Sequence, residues 1–206
     1  MAAIKTSFAS LLLAAAAVGG AVALGQEPAT PAAPVAPVLQ NAVQPPAKEE
    51  PSASAQQFMR HDSLDADYSV ELPVDWDIKA NIKGFDCVAF APKPTPYVSD
   101  YLDSLSISFY KGGKGLDDFA DELASSLKAH SPDFKLLAKG KGLEIQGCKT
   151  LRLEYEFSSG RVDVRSSAIL ISKDGKVWSL TLNSGKRSFP LRKGIFDRAL
   201  SSFKPQ

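Results

Sequence analysis

From Leu151 to Phe157 the chain reads LRLEYEF, in which Leu151, Leu153, Tyr155 and Phe157 alternate with Arg152, Glu154 and Glu156. Successive side chains of a strand point to opposite faces, so this strict alternation is the signature of a half-buried strand. Ser158-Ser159-Gly160 then turns the chain, and Val162 to Ile171 returns. Lys173-Asp174-Gly175-Lys176 is a second turn signal, ahead of VWSLTL at Val177 to Leu182. Asp-Gly accepts the positive φ values that a tight two-residue hairpin requires, and strands joined so tightly run antiparallel. The C-terminal half therefore reads as an antiparallel meander.

The same period recurs earlier. Tyr68, Val70 and Leu72 alternate with Ser69 and Glu71 in DYSVEL (67–72), which Pro73 ends, and FDCVAFA (85–91) reads as a second strand. The following Pro92-Lys93-Pro94-Thr95-Pro96 offers no ladder donors at its prolines and makes a rigid loop. SLSISFY (104–110) puts Leu105, Ile107 and Phe109 on one face of a third strand. Period 3.6 replaces period 2 after the turn KGGKG: Leu116, Phe119, Leu123 and Leu127 form one stripe of a helix over 116–129, which Pro132 stops. Asp117, Asp118, Asp121 and Glu122 crowd its first two turns, where the helix dipole favours anions. A last helix is expected with Ser188 as cap, Pro190 in its first turn, and Ile195, Ala199, Leu200 and Phe203 buried. Strands, helix, meander, helix makes an α+β chain, a central antiparallel sheet of about six strands flanked by helices.

The first sixty residues contrast with this. Residues 1–25 have the parts of a secretory signal peptide: Lys5, an apolar run from Phe8 to Val18, and small residues permitting cleavage after Ala23 or Gly25. An uncleaved anchor is the alternative, but Ala and Gly make a poor one, so no stable membrane span is expected after cleavage. Residues 26–59 form a Pro/Ala-rich linker, and the stretch from Glu27 to Gln57 holds no aromatic residue. It cannot bury enough apolar surface to offset its ordering entropy, so a disordered, extended spacer is expected. One domain remains, residues 60–206, and its 147 residues suffice for a sizeable core.

Charge is distributed unevenly within that domain. Residues 60–134 carry 7 Lys/Arg against 14 Asp/Glu, net −7, whereas residues 135–206 carry 15 against 6, net +9. Either the two halves interleave and their charges face one another, or a basic face meets an acidic partner or surface. Nucleic acid is not an expected partner, because the basic residues do not cluster with aromatics. The two cysteines, Cys87 and Cys148, form an even pair, which in an exported chain points to a disulfide; two buried thiols acting as small hydrophobes is the alternative.

No motif for a catalytic, cofactor or metal site emerges. Neither G-x-S-x-G nor a Cys/His signature is present, and of the two histidines His61 lies at the spacer boundary and His130 at a helix C-terminus, where it complements the dipole. Lys111-Gly112-Gly113-Lys114-Gly115 lacks the spacing of a phosphate-binding loop and opens an acidic helix that repels phosphate. The helix acids lack the loop spacing of a calcium site, and Trp76 and Trp178 read as core or rim aromatics.

The element order, the opening YSVELPVDW with Leu72-Pro73 and Trp76, the strand SLSISFYKGG before an acidic helix, and the closing FDRALSSF ending at Ser202-Phe203 together resemble the Mog/PsbP-like superfamily over residues 66–204. That group includes the PsbP extrinsic proteins of photosystem II and many small bacterial exported proteins and lipoproteins. The resemblance implies a central antiparallel sheet with helices on its faces and a non-enzymatic role, with no catalytic residues to carry across. No lipidated Cys follows the leader, and the spacer is not the N-terminal segment of the plant proteins, so a photosynthetic role is not implied. The resulting expectation is an exported, non-catalytic binding or assembly-supporting module, periplasmic or secreted, with an envelope or secreted protein partner. Two alternatives stand beside it: an enzyme whose site no motif reveals, and a small-ligand carrier with an apolar cavity between helix and sheet.

Overall fold

In the computed structural model the three segments of the C-terminal meander are strands β7 (Lys149–Ser159), β8 (Val162–Lys173) and β9 (Lys176–Gly185), paired antiparallel without a break in register. At the hairpin joining the last two, Asp174 and Gly175 have φ of 50° and 73°. Both values are positive, as a two-residue turn matched to strand twist requires. The structure describes residues 56–206 apart from 83, 94–102, 113 and 146. The leader expected at 1–25, the spacer up to residue 55 and Pro94-Thr95-Pro96 lie outside the described residues.

The N-terminal strands are β1 (Phe58–Ser63), β2 (Tyr68–Pro73), β3 (Asp77–Ile82), β4 (Phe85–Phe90) and β5 (Ser104–Lys111). Helix α1 (Leu116–His130), strand β6 (Lys135–Lys141), helix α2 (Phe189–Ser202) and the short β10 (Lys204–Pro205) complete the described chain. The main sheet has seven antiparallel strands in the order β3-β4-β5-β9-β8-β7-β6. The segment 67–72, expected as a member of that sheet, instead lies between β1 and β10 in a separate three-stranded sheet. Two main-sheet strands, β3 and β6, have no counterpart in the alternation read from sequence. Both are sheet edges: every residue of β6 is exposed, and β3 part-buries only Ile78 and Ile82, so neither shows the buried alternation of an inner strand.

Alternation assigns the main sheet two covers. On one face Leu105, Ile107, Ile169, Ile171, Trp178, Leu180 and Leu182 pack with Tyr68, Val70 and Leu72 of β2 and with Ile195, Phe196, Ala199 and Leu200 of α2. Trp178 is fully buried at the centre, donating Nε1–H to the Ala66 carbonyl at 2.7 Å, with the Phe203 ring against it at 6.0 Å. On the other face Leu151, Leu153, Tyr155, Ala168, Leu170 and Val177 receive Phe119, Ala120, Leu123 and Leu127 of α1. The helix stripe read from the sequence is thus the buried stripe, and burying two such leucines stabilises by about 2 kcal/mol each.

Helix α2 begins at Phe189 with Ser188 in the cap position, but the Ser188 hydroxyl turns away from the helix amides. It donates instead toward Gly185 O and Asp103 Oδ1, each at 3.1 Å.

Candidate functional site

Much of the charge asymmetry is resolved inside the fold. Lys139 of β6 reaches Asp121 at 2.7 Å and Asp117 at 3.2 Å on α1, Lys176 reaches Asp67 at 2.7 Å, Arg192 reaches Asp103 at 3.0 Å and Arg198 reaches Glu71 at 2.6 Å. Each pair joins the basic half to the acidic half. The Asp121 hydrogen bond raises the Lys139 ammonium above its ordinary value, with Asp117 adding to it.

One cluster is not resolved. In the register of the sheet Lys111 stands directly opposite Lys176, and Lys176 directly opposite Lys173. These three lysines continue the column of Phe109, Trp178 and Ile171 by one step, so they share the face that α2 covers further along. Like charges placed directly across a strand pair oppose sheet formation. Asp67 answers only one of the three, and the two nearby lysines hold its carboxyl below the usual value, Lys176 by hydrogen bond and charge and Lys111 by charge. Among the described residues Lys111 and Lys173 make no ion pair; Lys111 Nζ instead lies 5.7 Å from the Phe109 ring centre. Lys141 and Lys149 bring two more exposed ammonium groups to the same end of the sheet.

At the opposite end Asp103 is the centre of a hydrogen-bonded hub. Its Oδ1 accepts from Ser184 Oγ at 2.9 Å, the Gly185 amide at 3.0 Å and Ser188 Oγ at 3.1 Å, and its Oδ2 accepts from Arg192 Nε at 3.0 Å. The Arg192 guanidinium lies 5.9 Å from the Trp76 ring centre. With four donors on two oxygens, this carboxylate ties β5 to the start of α2 and has little capacity left for a substrate.

The residues singled out from sequence do not converge. His130 places Nδ1 2.8 Å from the Ser126 carbonyl at the end of α1, while His61 on β1 lies beside the Tyr68 ring of β2. Asp117 and Asp121 are taken up by Lys139, and Glu122 by Lys114 at 2.7 Å. The glycine-rich turn is tied to the β8–β9 hairpin by the Gly112 amide, which donates to Gly175 O at 3.3 Å. Trp178 is core, and Trp76 is buried beneath Arg192.

The expected Cys87–Cys148 disulfide is not formed: both cysteines are buried thiols. Cys87 lies on β4 and Cys148 directly precedes β7, four strand positions away in the sheet. At about 4.8 Å per strand that is roughly 19 Å, against the ~7 Å Cα limit of a disulfide. Burial, aided by the Asp86 carboxylate, pushes the Cys87 thiol up to about 12. A thiol so raised is a poor nucleophile. Burial likewise raises the Tyr155 hydroxyl, and burial plus the hydrogen bond to Asp86 raises that of Tyr68.

The sheet face that α1 covers is apolar in one part and polar in another. Over β7 and β8 it is occupied by the leucine and aromatic contacts already described. Over β5 and β9 the same face presents buried Ser104, Ser106, Ser108, Ser179, Thr181 and Asn183.

Among solved structures the chain is similar to cyanobacterial PsbP (CyanoP) of Synechocystis at a TM-score of 0.56 and 17% identity, covering 78% of this chain and 99% of that one. It is similar to LpqN of Mycobacterium tuberculosis, involved in cell envelope biogenesis, at 0.51 and 13%, covering 76% and 98%. PA94 of Pseudomonas aeruginosa, a protein of unknown function, matches at 0.51 and 19%, covering 72% and 97%. No protein-family model matches the chain, and no curated protein does. At these identities the likeness establishes the fold, a PsbP-like antiparallel sheet flanked by helices.

Proposed function

We propose that this chain, which has the PsbP-like fold, is an exported, non-catalytic binding or assembly-supporting module that meets an acidic protein partner of the cell envelope or secreted space. The observation that carries the reading is the row Lys111–Lys176–Lys173, held in like-charge opposition with one counter-ion among the described residues. Such a row is stabilised when an external anion arrives, and clustered lysines raise the encounter rate with acidic surfaces. The role of LpqN in envelope biogenesis accords with an exported location. Among the described residues no helix is long and apolar enough to cross a membrane.

The test is an affinity pull-down from the envelope fraction of the source cells, with the full chain tagged at its C-terminus, at low and raised salt and alongside a Lys111→Glu/Lys173→Glu variant. The expected result is one protein partner that is lost both at raised salt and with the variant. A partner retained by the variant and indifferent to salt, or a co-purifying small molecule in its place, would show this reading to be wrong.

A further inference from the structure

Near the Asp103 end of the sheet, on the face shared with α2, two arginines converge on one carboxylate. Glu154 Oε1 accepts from Arg152 Nη2 and Oε2 accepts from Arg165 Nη2 at 3.0 Å. Glu154 stands directly opposite Ser167 in the register, and Arg165 is the next residue along β8 on the same face. Three polar atoms in this cluster are closed off from solvent without a hydrogen-bond partner: Arg152 Nε, Arg165 Nε and Ser167 Oγ. Ser167 is only 1% exposed.

All three are donors, and a buried donor without an acceptor has given up its hydrogen bond to water for nothing, so three in one cluster call for an explanation beyond packing. What they lack is an acceptor. The local charges are three cations, Arg152, Arg165 and Lys186, against two carboxylates, Glu154 and Glu156, the latter directly opposite Arg165 and paired with Lys186 at 2.9 Å, which leaves one positive charge over. Phe189 at the start of α2 stacks on Arg165, its ring centre 5.1 Å from Cζ, which holds the guanidinium over the cluster. A planar guanidinium presents its donors in pairs, the geometry a carboxylate matches.

We propose that Arg152, Arg165 and Ser167 form a receptor for a carboxylate supplied from outside the chain, with Glu154 as the internal group that occupies it until the external one arrives. Displacing Glu154 frees one Nη2 donor on each arginine. The guanidiniums, whose side chains are about a third exposed, can then turn their Nε–H edges to the incoming group beside the Ser167 hydroxyl. The carboxylate can belong to a small organic acid or to an acidic side chain of a protein. The site is separate from the lysine row: Arg165 and Lys173 are eight residues apart on β8, about 26 Å at ~3.3 Å per residue.

The experiment follows the arginine Nε–H resonances of the full chain by NMR during titration with acetate and, separately, with a hexaglutamate peptide, with chloride as control. Saturable shifts at Arg152 and Arg165 are expected with at least one probe and not with chloride. Response to acetate assigns a small acid as sufficient; response to the peptide alone assigns a protein side chain. If Glu154 holds the site in about nine of ten molecules, Glu154→Gln strengthens binding about tenfold. Ser167→Ala and Arg165→Lys weaken it. No response to either probe in the unmodified chain, or weaker binding in Glu154→Gln, overturns the proposal. The Lys111→Glu/Lys173→Glu variant should keep whichever arginine Nε–H response the unmodified chain shows, so failure at one site is distinguishable from failure at the other.

Discussion

Replacing Asp103 by Ala is expected to destabilise the protein by about 3 kcal/mol, a figure built from how its four donors fare afterwards. Ser184 and Ser188 lose little: their hydroxyls are 2.9 Å apart, and Gly185 O lies 3.1 Å from Ser188 Oγ as an alternative acceptor. The Gly185 amide has no such substitute, and stranding this part-buried donor costs about 1–2 kcal/mol. Arg192, whose side chain is 27% exposed against 11% for Asp103, keeps partial access to water, so its lost pairing contributes about 1–2 kcal/mol rather than the larger penalty of a fully buried ion. Asp103→Asn retains the shape and an acceptor for Gly185 and the serines, and should lose only the Arg192 share. Urea unfolding followed by the fluorescence of Trp76 and Trp178 measures both variants. At a slope of about 2 kcal/mol per molar, the Ala variant shifts the midpoint by about 1.5 M. Equal losses for Ala and Asn, or a loss under about 1 kcal/mol for Ala, would show that the hub does not anchor α2 as reasoned.

Leu123→Ala on the buried stripe of α1 should lose about 3 kcal/mol, whereas Leu191→Ala on the exposed side of α2 should stay within about 0.5; calorimetry of the two separates stripe from surface. Reductant should leave the melting temperature unchanged, since Cys87 and Cys148 are not joined; a fall on the order of 10 °C would mean that a bond closes that long loop. Stability should decline in alkali. The folded state holds the Cys87 proton up to about 12 while the unfolded chain releases it near its ordinary 9.0, so this contribution is intact below about 9 and falls by up to ~1.4 kcal/mol per pH unit above it. The raised Tyr68, Tyr110 and Tyr155 act in the same direction above their ordinary 10.0. Urea midpoints measured through this range should slope downward, and less steeply in Cys87→Ala; a flat profile would contradict the burial argument.

Within the described residues, what the sequence determined by itself is whatever depends on near neighbours. Alternation at Leu151–Phe157 and Ser104–Tyr110 assigned side chains to faces, because a strand's period of two is fixed by its backbone. Asp174-Gly175 determined a hairpin, and with it the opposition of Lys173 and Lys176, because few residue pairs accept two positive φ values in succession. The stripe of α1 was equally legible. Tertiary structure alone decided which strands became neighbours, since that depends on how whole faces find cover rather than on any local pattern. Pairing β5 with β9 brought Lys111 opposite Lys176, and packing Phe189 over β8 set the Arg165 guanidinium beside Glu154. It also drew β2 out of the main sheet to cover Trp178, and placed Cys87 four strands from Cys148. Edge strands β3 and β6 stayed hidden for the converse reason: a strand wholly or largely exposed to water is held mainly by its ladder, and a ladder is made of backbone that every sequence shares.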